Sequence, residues 1–62
     1  MNAQECQAEI ERCEGKLSEA MRAAEEALRN GNTLLHKAYL ASQKAWALSI
    51  KAYRLDLKRL VN

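Results

Sequence analysis

The chain has 62 residues, a net charge of +2, no proline, two glycines and two cysteines. That length allows one small domain, which buries only about 60% of its unfolded surface and usually needs a staple, a metal or a second subunit. Ala, Glu, Leu, Lys and Arg dominate, and Ile10, Thr33, Ile50 and Val61 are the β-branched residues; this composition predicts an all-α fold and argues against strands.

The first helix is expected over about 3–29. Asn2 can cap it, and Glu5 stands at the capping-box spacing. Cys6, Ile10, Cys13, Leu17, Ala20, Ala24 and Ala27 recur at alternating steps of four and three, a heptad seam on a narrow arc. Met21 and Leu28 widen one flank, and charged residues occupy the rest. Gly15 falls on the outer side, as an indifferent surface glycine. The cysteines are two helical turns, or about 10.5 Å, apart, too far to bridge each other within one helix. They are expected to be reduced and buried as small apolar side chains.

Asn30-Gly31-Asn32 forms the turn. Gly31 suits the left-handed position that follows a helix, and Asn32 or Thr33 can cap the next one. So short a connection forces antiparallel neighbours, giving one helical-hairpin domain.

The second helix is expected over about 33–61. Its apolar residues spread over roughly 240° of the helical wheel. Lys37, Lys44, Lys51 and Lys58 recur every seven residues along the remaining strip. Folding about Gly31 sets Ile10 opposite Ala52, Cys13 opposite Ser49, Leu17 opposite Ala45, Ala20 opposite Ser42 and Ala24 opposite Ala38. This matches larger side chains on the first helix to small ones on the second. Leu35, Tyr39, Trp46, Ile50, Tyr53, Leu57 and Leu60 then form a stripe beside the seam, wider than the first helix can cover. An uncovered strip of this kind marks an interface, and Trp and Tyr are enriched among interface hot spots. The expected architecture is therefore a hairpin that dimerises, second helix against second helix, into a four-helix bundle.

Residues 1–31 carry a charge balance of −3 and residues 32–62 one of +5. The first explanation is mutual attraction of two neighbouring helices; the second is a cationic binding edge. Lys37, Lys44, Lys51, Arg54, Lys58 and Arg59 could follow a polyanion backbone, so a nucleic-acid-binding regulator is the alternative function.

Catalysis finds no constellation. His36 stands near the turn, distant from both cysteines, and is expected to face solvent or cap the turn. No metal site, cofactor motif or phosphate loop is legible. The N-terminus has no apolar central region and no segment is long and apolar enough to span a bilayer, so a cytoplasmic, membrane-free protein is expected. The leading reading is a non-enzymatic protein–protein interaction module, an adaptor, regulator or inhibitor that binds itself and another protein. A purely structural oligomerisation segment of a larger assembly is a further alternative.

Overall fold

In the computed structural model, which describes residues 1–61, two helices pack side by side as a hairpin. Helix α1 runs Ala3–Arg29 and helix α2 runs Thr33–Val61, as the sequence predicts. The molecule is a rod of 47 × 14 × 12 Å.

Local chemistry sets the helix ends. The Asn2 side chain accepts a hydrogen bond from the Glu5 backbone N–H at 2.8 Å, and the Asn2 N–H donates to Glu5 Oε1 at 3.2 Å. This reciprocal box satisfies two backbone donors that a helix start leaves unpaired. At the turn, Gly31 has φ +72°, a conformation that costs other residues a Cβ–carbonyl clash. The Asn32 N–H reaches back to the Ala27 carbonyl at 2.9 Å, closing the end of α1. The Asn32 side chain accepts from the Leu35 N–H at 3.1 Å, so Asn32 is the residue that caps α2.

Helix α1 buries Cys6, Ile10, Cys13, Ala20, Ala24 and Ala27, the seam read from its heptads. Both thiols are free and buried. Cys6 Sγ donates to the Tyr53 carbonyl oxygen at 3.1 Å.

The partner face on α2 differs from the expected one. Ala38, Ala45 and Ala52 are exposed and Ser42 and Ser49 half-buried, whereas Ile50 is buried with Ile10 and Cys13, and Leu17, Trp46, Tyr53 and Leu57 pack against that cluster. Large side chains meet large ones around Ile10 and Ile50, so size matching does not hold along the whole seam. The α1 seam ends in Ala20, Ala24 and Ala27, and the second helix supplies the bulk. Apolar burial is worth roughly 25 cal/mol per Å², so turning the aromatic face inward removes more area from water than turning the alanine face inward.

His36 is also placed differently. It is half-buried, and its Nδ1 lies 2.9 Å from the Ala24 carbonyl oxygen, tying α2 to α1 near the turn.

Two pairs of substitutions test this packing by urea unfolding at low micromolar concentration. Ile50→Ala should cost roughly 2–3 kcal/mol, the low end for a buried isoleucine because α1 alone covers it. Leu40→Ala, at a site 45% exposed, should change stability by less than about 0.5 kcal/mol. An added Cβ at Gly15 meets nothing within 4 Å, so Gly15→Ala should stabilise by about 1 kcal/mol. Gly31→Ala should destabilise by about 1 kcal/mol, because Ala is strained at that φ.

Candidate interaction surface

The seven residues expected at an interface divide into three groups. Trp46, Ile50, Tyr53 and Leu57 belong to the hairpin's own core cluster or pack against it. Tyr39 is half-buried and lines a shallow groove with Ala20, Ala23, Ser42 and Trp46. Leu35 and Leu60 are exposed, near the turn and the open end respectively. The continuous aromatic strip expected to stand open is thus largely occupied by α1.

A different apolar stripe is open. Leu34, Ala38, Ala41, Ala45, Leu48, Ala52 and Leu55 are all exposed, with Leu34 at 81%, Leu48 at 66% and Leu55 at 52%. They recur at alternating steps of four and three, the spacing of a helix-packing seam. From Leu34 to Leu55 this stripe extends about 31 Å at 1.5 Å per residue. These side chains belong to the roughly 240° apolar arc of α2, and size matching to α1 assigns several of the alanines to the hairpin seam. The signal that separates the two faces was present: helix α2 carries two heptad seams, one aromatic and one of Leu and Ala.

The basic residues also divide. Arg54 reaches across to Glu14 at 3.3 Å, and Arg59 lies 3.8 Å from Asp56. Lys37, Lys44, Lys51 and Lys58 are exposed, and none makes an ion pair among the described residues. They form a strip bordering the Leu/Ala stripe. The charge asymmetry predicts attraction between an acidic and a basic helix. Among the described residues, Glu14–Arg54 is the one ion pair that crosses between the helices; the others lie within a helix.

On the other border of the stripe lie Leu35, Ser42, Ser49 and Asp56, and beyond them α1. Two shallow grooves run there, one lined by Lys16, Glu19 and Ser42 and the next by Glu26, Asn30 and Leu35. Arg12 lies over the Trp46 ring, 5.8 Å from its centroid, and donates to Glu9 at 2.8 Å. The hydrogen bond Arg12 donates to Glu9, and then the Glu9 charge, hold the Arg12 pKa above its ordinary value. This guanidinium lies over the face of the core's largest ring and keeps its charge toward water.

Among the described residues no three His, Cys, Asp or Glu side chains converge as a metal site. Among the described residues no helix is long and apolar enough to cross a membrane. Comparison with protein-family models, curated proteins and solved structures gives no match.

Proposed function

We propose that the protein is an interaction module that binds another helix through the outer face of α2. The observation that carries this reading is the second heptad seam, Leu34 to Leu55, left open along α2 while the first seam closes the hairpin. Monomeric domains seldom leave so long an apolar strip uncovered. A rod one helix-pair thick has no interior into which these leucines could turn. A four-helix assembly built from two hairpins would join these outer faces rather than the aromatic ones.

A site-specific photocrosslinker tests the surface in the cells that express the chain. Placed at Leu48 it should give covalent adducts; placed at the exposed Glu25 of α1 it should give none. Labelling equal at both positions, or at neither, would overturn the reading. Leu48→Glu should abolish the adduct formed from a probe at Leu55. The hairpin's own stability should change by less than about 0.5 kcal/mol, because the position touches no core residue.

The lysine strip supports a second reading, a regulator that binds nucleic acid. Four lysines free of ion pairs among the described residues stand about 10.5 Å apart on one helix edge. If they follow a duplex backbone, log affinity should fall against log salt with a slope near −0.9 per phosphate contacted, so about −4 at most for four lysines. Lys44→Gln with Lys51→Gln should then halve that slope. Fluorescence anisotropy with a labelled duplex measures both, and no binding at low salt would reject it.

A further inference from the structure

We infer that the occupant of the outer α2 face is a second copy of this chain, related by a two-fold axis parallel to the helices, so that the two turns lie at one end. This rests on the reading above and names its partner.

The argument comes from the two borders of the seam. One is the strip Lys37, Lys44, Lys51 and Lys58. Beyond the other lies the flank of α1 that carries Glu5, Glu9, Glu19 and Glu26 against Arg12 and Lys16. A basic border and a border that leads to an acidic flank make the surface complementary to itself in one orientation only. If the copies ran antiparallel about a perpendicular axis, each lysine strip would lie against the other, with like charges repelling. If they run parallel, each lysine strip lies along the partner's acidic α1 flank.

The α1 flank keeps an acidic balance, four glutamates against Arg12 and Lys16. Cross-helix bonds set Cys6 level with Tyr53 and Ala24 level with His36. On that register Lys51 stands level with Glu9 and Lys44 with Lys16, and Glu26, Glu19 and Glu5 stand about one turn from Lys37, Lys44 and Lys58. Arg12 is one of two like-charged residues on this flank, and it pairs with Glu9. Lys16, the other cation there, is engaged by Glu19 at 3.6 Å. In the seam itself Leu34, Leu48 and Leu55 each meet their own copy. Ala38, Ala41, Ala45 and Ala52 between them allow the helix axes to approach closely. Such a contact is isologous, so it closes at two copies.

The test joins sedimentation equilibrium to cysteine crosslinking on the full chain. Wild-type protein should sediment as a dimer of the 7.0 kDa chain, and Ala45→Glu as a monomer with unchanged helical circular dichroism. Leu34→Cys alone and Leu55→Cys alone should each form a covalent dimer on mild oxidation, because a parallel axis brings each position against itself within about 7 Å. The native Cys6 and Cys13 are 0% and 1% exposed and stay out of the reaction. A product formed only on mixing the two variants would overturn the parallel arrangement. Rising sodium chloride should weaken the dimer threefold or more, roughly, since opposite charges are being screened; tightening would mean that the lysine strips face each other and would overturn it too. A monomer at every concentration up to about 1 mM overturns the homodimer. If the Leu48 probe still labels another protein in that case, the docking surface stands and only its occupant was wrong. If the probe labels nothing, both fail.

Discussion

The fold depends on how little space the α1 seam occupies. Cysteines and alanines fill most of it, so the backbone of α1 comes close to α2 and only one face of α2 can meet it. The face chosen is the one with most apolar area to hide: Ile50 beside Ile10 and Cys13, with Trp46, Tyr53 and Leu57 packed against them. Every later property of the surface follows. Once the aromatic side is spent on the hairpin, the alanine–leucine side is what remains, and the lysines that border it face water.

The same constraint explains what could be read in advance. Helix limits, capping box and left-handed Gly31 were legible because each is set by residues close in sequence. The buried residues of α1 were legible for a similar reason, since one narrow apolar arc leaves no choice. Helix α2 offered a choice. Its apolar arc is wide enough to hold two seams, and size matching alone allows either Ala45 or Trp46 to face Leu17. Buried area decides between them, and pairing rules weigh shape before area. Assigning the alanines inward therefore turned α2 by roughly a third of a turn or more and moved the expected interface onto residues that α1 covers.

The electrostatics show the same separation of near and far. Most ion pairs join residues three apart on one helix, and such exposed pairs contribute little to stability. Opposite charges on the two halves suggested that the helices attract each other. The hairpin is instead held by its seam, with Glu14–Arg54 as the crossing pair. The lysine strip is therefore left for whatever lies outside the molecule.

Chain reversal rests on a single left-handed residue, Gly31. Every contact that α1 makes with α2 could be rebuilt, unchanged, between two chains that had straightened there into one continuous helix. The closed and exchanged forms thus share one set of seam contacts. They differ in the backbone preference of one glycine and in the entropy of joining two molecules. Dilution favours the closed hairpin, while crowding many copies together at high concentration moves the balance toward exchange. The glycine's freedom is what keeps a molecule with so few contacts beyond its own seam folded upon itself.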